Sequence, residues 1–337
     1  MSGLSLVEMI ERDVSLISVV LSFGALASLS PQPSSNGSRA WRSYRPEAFE
    51  TAPRPRGRMP SGKGSDGAGG AKRVVMAVKL RQKTEHFKNK FALTLNARPA
   101  STSLMVRLVT IIPALNAASS LAAVLEHAAE AERMGLSAGL IVADGGSSDA
   151  TCDIARRAGA RIVTGSTGRG AQLAAGADAA ARLARGEDWY LFLHADTRLA
   201  PGWAGVARAF MEAGRNAGQA GYFRFTLDDS SHRARRLERA VSWRSAVFGL
   251  PYGDQGLLVR RDAYETLGGY KPWPLFEDVD IVRRLGRRRL AALPARAVTS
   301  AEKFQRDGYA RRSAKNVFLL TRYFLGESPY RLAKAYR

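Results

Sequence analysis

From Met105 onward the sequence predicts an α/β fold: a mostly parallel sheet with helices on both faces, leading into a second half of more mixed character. Three observations predict it. Short β-branched runs alternate with Ala-rich helical segments; polar residues gather where the strands end; and the composition changes sharply near residue 105.

The run RLVTIIP reads as a first strand. It is followed by an Ala/Leu/Glu helix from about Ser119 to Met134, stopped by Gly135. GLIVADGG is a second strand. The stretch SSDATCDIARRAG opens with capping candidates Ser147, Ser148 and Asp149 and ends at Gly159, so it is a second helix. ARIVTGS is a third strand, Ala171 to Ala184 a third helix, and WYLFLHAD a fourth strand reaching Asp196. Strands joined through helices run parallel and carry those helices on both faces. Ligands of such sheets sit beyond the carboxyl ends of the strands. Asn116, Asp144, Arg169 and Asp196 all fall there.

After Gly218 the texture changes. AGYFRFTL is a strand, HRARRLERAVSWRSAV a basic helix, and PYGDQGLLVRR a loop and then a strand. EDVDIVRRL starts a helix and RLAALPARAVTS is a strand. The expected organisation is therefore a nucleotide-binding half, 105–217, and an acceptor half, 218–337.

Residues 1–104 do not belong to this pattern. The stretch 31–74 is rich in Pro, Ser, Gly and Arg and lacks apolar periodicity, so it cannot offset its chain entropy and is expected to be disordered. The apolar run from Asp13 to Leu29 is broken by serines, flanked by Glu8 and Glu11, and shorter than the ~20 residues a bilayer needs, which weighs against an anchor. A second expectation is that residues 1–104 come from a wrongly assigned start codon, with Met105 the true start.

Lys and Arg number 51 against 30 acids, a net charge of +21. Such an excess points to an anionic partner and says nothing of the fold. The single cysteine, Cys152, excludes an intramolecular disulfide and a Cys-rich zinc site, and a reducing, cytoplasmic compartment is the simplest reading.

Two stretches carry candidate chemistry. In His194-Ala195-Asp196, strand alternation would put the imidazole and the carboxylate on one face, at the end of a parallel strand. A carboxylate with an imidazole suits Mn²⁺, and a carboxylate alone suits Mg²⁺; equally, Asp196 could cap a turn and His194 fill the core. In VADGGSSDAT, Asp144 ends a strand ahead of two glycines and a helix N-terminus, which suits a ribose, a base or an anion, and suits a plain Asx turn as well.

VTIIPALN, IVADGGSSDAT, GRGAQLAAGA, FLHADT, YGDQGLLVRR and FEDVDIVRRL occur in the order found in inverting family 2 glycosyltransferases of the GT-A fold, which has a Rossmann-like sheet. The stretch from Met105 to Arg337 resembles that family. Within it, the HAD, GDQG and ED sequences resemble a bacterial subgroup labelled arsenosugar-biosynthesis-type glycosyltransferase.

The resemblance implies a UDP- or GDP-sugar donor, an acceptor hydroxyl and metal assistance by Mg²⁺ or Mn²⁺. It implies that Pro113 and Asn116 lie beside the nucleotide, that Asp144 binds base or ribose, and that Arg169 lies near base or diphosphate. Asp196 corresponds to the last acid of the family's DxD metal motif, with His194 in place of the first. Asp278 would be the base that deprotonates the acceptor, supported by Glu277. Asp254 and Gln255 would line the donor-sugar or acceptor side of the cleft. The family's later Gln/Arg-Trp element has no counterpart in TSAEKFQRDG, where Phe304 stands without a Trp.

Two other functions compete. A sugar-phosphate nucleotidyltransferase would need a Gly-rich, Arg-bearing loop after the first strand, where this chain has PALNAASS. A non-catalytic basic protein binding nucleotide or membranes would explain the charge but not the acids at strand and helix ends; nucleic acid is not an expected partner. The C-terminal NVFLLTRYFLG and SPYRLAKAYR are apolar and then basic. They suit packing on the domain or a peripheral contact with the inner face of the cell membrane, where a lipid would serve as acceptor.

Overall fold

The computed structural model describes residues 106–184, 188–213, 216 and 219–336. The expectations for residues 1–104 lie outside them. The described strands form one eight-stranded sheet in the order β3-β2-β1-β4-β7-β6-β8-β5. They are β1 (Leu108–Ala114), β2 (Ser137–Asp144), β3 (Arg161–Val163), β4 (Trp189–Phe192), β5 (Thr197–Leu199), β6 (Ala220–Leu227), β7 (Leu257–Arg260) and β8 (Leu290–Thr299). The helices are α1 (Ala118–Ala128), α2 (Glu130–Arg133), α3 (Thr151–Arg157), α4 (Arg169–Ala180), α5 (Trp203–Glu212), α6 (His232–Phe248), α7 (Arg261–Thr266), α8 (Glu277–Leu285), α9 (Glu302–Asp307), α10 (Tyr309–Phe324) and α11 (Pro329–Tyr336).

β1 pairs in parallel with β2 and β4, and β2 with β3, as the alternation of strands and helices requires. The second half is mixed: β7 runs antiparallel to β4 and β6, β5 is antiparallel to β8, and β6 and β8 are parallel. The β4–β7 pairing carries the sheet without a break across the expected boundary at 217/218.

Apolar side chains cover both faces of the central strands. Leu108, Ile112, Trp189 and Leu191 belong to one core cluster with Leu121, Trp203 and Phe210. Val109, Ile111, Tyr190 and Phe192 belong to the other, with Leu173, Tyr264 and Ile281. Alternate residues of one strand thus serve opposite cores, which is why these strands read as continuous apolar runs. Each such side chain, buried fully, contributes about 1.5–3 kcal/mol. α4 lies close against β1 because Gly176 has no Cβ to strike Ile111.

Three boundaries differ from the sequence expectation. The helix expected over 119–134 is two helices, α1 and α2; Glu130 at the break accepts hydrogen bonds from the Gly202 and Ala204 amides (3.1 and 3.2 Å) and so caps α5. α4 begins at Arg169 instead of Ala171. β4 ends at Phe192, and the chain turns over His194–Thr197, where the Thr197 amide bonds the His194 carbonyl at 3.2 Å. His194 and Asp196 are therefore brought near each other by a turn, not by strand alternation. Among the described residues, no helix is long and apolar enough to cross a membrane.

Candidate active site

Two groups of polar side chains stand at the carboxyl ends of β2, β1 and β4. The first forms around the loops after β1 and β2. Asp144, 3% exposed, accepts the Gly146 and Ser147 amides through Oδ2 at 2.9 and 3.0 Å. Burial opposes its ionisation, but the hydrogen bonds from Ser147 and Gly146 outweigh that and hold the carboxyl below its ordinary range. Its Oδ1 is buried with no hydrogen-bond partner. Asn116 has a left-handed backbone (φ 48), and its Oδ1 accepts the Ser148 amide at 2.9 Å while its own amide donates to Ser147 Oγ at 2.8 Å. Asp149 joins the same pair of loops, accepting the Ala118 and Thr151 amides. Gln172 of α4 ties the ends of the two strands, donating to the Ala114 and Ala143 carbonyls at 2.7 and 2.8 Å.

Pro113, expected beside the nucleotide, is buried inside β1 opposite Ala143. β4 stops pairing at Ile111, so no strand on that side requires the amide that proline lacks.

The second group lies on the β4 side, built from four segments: the His194–Asp196 turn, the Gly253–Gln255 turn, the N-terminus of α8 and Arg169 of α4. Asp278 accepts the Gly253 amide and its neighbour Val279's amide, each at 2.8 Å. The first bond fixes Gly253 against the imidazole, and a Cβ on Gly253 would collide with His194 Nε2. Arg169 Nη1 lies 3.6 Å from Glu277 Oε1, and both Glu277 oxygens are buried without a hydrogen-bond partner. Gly170 permits this approach, since any Cβ there would strike the backbone of Lys271 and Trp273. Lys303 of α9 reaches Asp196 Oδ2 at 3.0 Å.

These groups perturb one another strongly. Burial pushes His194 down to about 4, helped by the Arg169 guanidinium and opposed by Asp196 and Asp278, so its imidazole is neutral at pH 7. Burial also resists ionisation of Asp196, but His194 and Lys303 outweigh it and lower the carboxyl. Burial raises Asp254 to about 6 against the pull of Arg244, with Asp278 and Asp196 adding to the rise. It raises Glu277 to about 7; Arg169 opposes and Asp278 adds. Partial loss of water disfavours the cation of Arg169, whose side chain is 44% exposed, yet Glu277, Asp278 and Asp196 together hold its pKa above the ordinary value. Asp196, Asp254, Glu277, Asp278, His194 and Arg169 thus share one electrostatic field. Clusters of shifted groups in a cleft are where proton transfer and charge stabilisation occur.

Asp144 stands two strands away at the same edge, with no direct contact to this cluster. Ser120 of α1 connects the two sides by donating to the Ala195 carbonyl at 2.8 Å. Gln255, expected to line the cleft, is 1% exposed and spends its amide inward on Ser245, Tyr252 and the Phe223 carbonyl. It holds the Gly253–Gln255 turn in place. Phe304 stacks on Tyr309 (centroids 5.5 Å apart) within a third core cluster.

Sequence reasoning missed Gln172 and Lys303. Gln172 is a polar residue on an otherwise Ala-rich helix face, the one signal available for it; Lys303 sits 107 residues from its partner and carries none.

Among the described residues no three His, Cys, Asp or Glu side chains are grouped to hold a metal ion by themselves. Asp196 and the neutral His194 offer two donors of types a divalent cation accepts, so the other ligands would have to come from a bound diphosphate. A separate cavity of ≈ 390 Å³ opens between α1, α2 and α3, lined by Leu125, Glu126, Glu132, Ile154 and Arg157. It lies away from the strand ends. A narrow pocket of ≈ 10 Å³, lined by His194, Gly253, Tyr270 and Asp278, adjoins the cluster.

No curated protein sequence matches the chain. Among solved structures, glucosyl-3-phosphoglycerate synthase from Mycobacterium tuberculosis, in complex with Mn²⁺, uridine diphosphate and glucosyl-3-phosphoglycerate, is 19% identical over 67% of this chain and 85% of its own, with a TM-score of 0.42. Mannosyl-3-phosphoglycerate synthase from Rubrobacter xylanophilus is 16% identical over 61% and 71%, with a TM-score of 0.39. The family Glycosyl transferase family 2 matches residues 109–270, a stretch that runs from β1 through the Asp144 loop, the His194–Asp196 turn and the Gly253–Gln255 turn to Tyr270, just beyond α7.

Proposed function

We propose that the chain is an inverting glycosyltransferase, hexosyl-transferring by class, that moves a sugar from a UDP- or GDP-sugar to an acceptor hydroxyl. The observation that carries this reading is the convergence of Asp196, Asp254, Glu277 and Asp278 with His194 and Arg169 in one field at the strand ends. The free Oδ1 of Asp144 adds a buried acceptor at the nucleotide side, suited to a ribose or base donor. The HAD, GDQG and ED stretches favour the arsenosugar-biosynthesis-type subgroup, and a cytoplasmic location fits the single cysteine.

Each residue then has a distinct task. Asn116 holds the loop bordering the nucleotide. Arg169 and Lys303 face the diphosphate, where negative charge grows as the sugar departs; a unit charge pair 4 Å apart is worth ~4 kcal/mol at an effective dielectric of 20. Asp196 and His194 would hold Mg²⁺ or Mn²⁺ together with the diphosphate. Bound there, such an ion neutralises the leaving phosphate as a Lewis acid. The acceptor oxygen attacks the anomeric carbon as its bond to the phosphate oxygen breaks, and the hydroxyl proton passes to Asp278. Attack from the side opposite the leaving group inverts the configuration. Glu277 positions Arg169 and shapes the field around Asp278.

Calorimetry of the full chain with UDP and GDP, with and without Mn²⁺ or Mg²⁺, tests the reading. Binding of a nucleoside diphosphate that strengthens with the cation, and weakens in Asp196→Asn, is expected. Binding of a nucleoside triphosphate with a sugar phosphate in preference to any diphosphate would overturn it.

A further inference from the structure

We infer that the C-terminal helical hairpin, α10 and α11, docks the chain on an anionic lipid surface. One face of α10 is spent on the domain: Leu319 and Leu320 are buried, and Tyr323 packs on Phe276 and Trp273 with centroids 5.0 and 6.3 Å apart. α11 is fastened by fully buried Leu332. The other face of α10 faces solvent and mixes cations with large apolar side chains. Arg311, Lys315, Phe318, Arg322 and Leu325 recur at spacings of four, three, four and three, which aligns them in one stripe. Phe318 is 58% exposed, Leu325 at the hairpin tip 71%, and Tyr330 just beyond it 54%.

The surrounding charge selects the occupant. From Tyr309 to the end the sequence has Arg311, Arg312, Lys315, Arg322, Arg331, Lys334 and Arg337 against one acid, Glu327, which is paired with Arg322 at 2.5 Å. α6, packed against α10, adds the exposed Arg233, Arg236 and Arg239. A second copy of so basic a face would be repelled. An aromatic, an aliphatic and a tyrosyl side chain ringed by cations match the boundary of a bilayer with anionic headgroups, where apolar groups enter the acyl edge and cations stay at the phosphates.

The same hairpin borders the reaction. Phe276, against which Tyr323 packs, directly precedes Glu277 and Asp278. Docking would therefore hold the α8 N-terminus close to the lipid surface, and the acceptor hydroxyl would belong to a lipid headgroup. This last step rests on the glycosyltransferase reading, whereas docking does not.

Cosedimentation of the full chain with phosphatidylcholine vesicles, with and without phosphatidylglycerol, tests it. Binding is expected to need the anionic lipid, to fall with added salt, and to drop ~10-fold or more in the triple variant Phe318→Ser, Leu325→Ser, Tyr330→Ser. Leu183→Ser, an exposed apolar residue elsewhere, should bind as the wild type does. A fluorophore on Leu325→Cys, in a Cys152→Ser background, should shift to the blue on phosphatidylglycerol vesicles. The inference is overturned if the triple variant binds like the wild type, if the label does not shift, if nucleic acid binds the hairpin in place of vesicles, or if sedimentation velocity shows a dimer that the triple variant dissociates. Asp278→Asn should dock normally, so a failed transfer assay and a failed docking assay are separate results.

Discussion

The two polar groups at the sheet edge are built on opposite terms. Around Asp144, acids are matched to backbone amides: Gly146 and Ser147 on Asp144, Ala118 and Thr151 on Asp149, Ser148 on Asn116. There the Asp144 and Asp149 carboxyls lie below their ordinary range. Around Asp278, groups are buried ahead of their bonding: Glu277 has two orphaned oxygens, Asp254 one, and both carboxyls are pushed up toward neutrality. The Asp144 side is bonded apart from Asp144 Oδ1, which is left for a ligand, and suits recognition. An under-bonded edge stores electrostatic stress that a charged ligand relieves, and this is the common condition of reacting groups.

If that contrast is functional, loss of the Asp278 carboxylate itself should stop turnover and spare nucleotide binding, whereas loss of Asp196 should weaken both. Asp278→Asn is the largest expected effect: kcat should fall ~10³-fold, within the 10²–10⁴ that general bases contribute, while the dissociation constant for the nucleoside diphosphate stays within a few-fold. Near-normal turnover in this variant would remove the base from the scheme. Gly253→Ala comes next. The added methyl strikes His194 and displaces the amide that holds Asp278, so ~10²-fold in kcat is expected from misplacement alone. Calorimetry on the same protein should show nucleotide binding without a cation unchanged and its strengthening by Mn²⁺ or Mg²⁺ reduced, since the methyl displaces His194; loss of the cation-free binding would mean the two groups are not independent.

The stress itself is measurable as stability. Glu277 stands at about 7 in the folded chain against an ordinary 4.5. A carboxyl raised in this way contributes stability that is complete below its unfolded pKa and lost as the pH rises through about 7. Glu277→Gln cannot ionise, so urea titrations at pH 5 and pH 8 should show the variant gaining on the wild type by on the order of 2 kcal/mol across that range. Asp144 works in the other sense: its lowered pKa gives stability that is present near neutrality and lost only on acidification. A Glu277→Gln variant that runs parallel to the wild type from pH 5 to 8 would contradict the burial ascribed to Glu277; the wild type alone does not decide it, because His194, held at about 4, titrates in the opposite sense over the same range.

How much of this was legible depended on the distance over which each residue is explained. The central strands were readable because LVTIIPA and WYLF are apolar at every position but Thr110, the mark of burial on both faces. Asp144, Asp196 and Asp278 were readable as acids at element ends. The end of β4 was not. FLHAD contains no Gly or Pro, so nothing local distinguishes a strand that continues from one that turns at His194. Gln255 was read as a cleft residue because its glycine neighbours imply a loop, but its amide bonds Ser245 and the Phe223 carbonyl, 10 and 32 residues away, and burial follows from those partners. Lys303 is the extreme case, since its only significance is a carboxylate 107 positions earlier.

The smallest expected effect probes the Asp144 side. Asn116 holds φ 48, a conformation costing an ordinary L residue roughly 1–2 kcal/mol, and its Oδ1 bonds the Ser148 amide. Asn116→Gly removes the bond and accepts the backbone freely, so its cost, about 1 kcal/mol, isolates the hydrogen bond. Asn116→Ala removes the bond and keeps the strain, so it should cost about 1 kcal/mol more than the glycine variant in urea unfolding. If the two variants cost the same, the strain is absent and asparagine is not there for its backbone. Nucleotide affinity then divides the remaining possibilities: if this edge works as a rigid platform, both variants should weaken UDP or GDP binding in proportion to their lost stability, with kcat at saturating donor unchanged. A fall in kcat without a change in affinity would place Asn116 with the reacting groups and erase the distinction between the two edges.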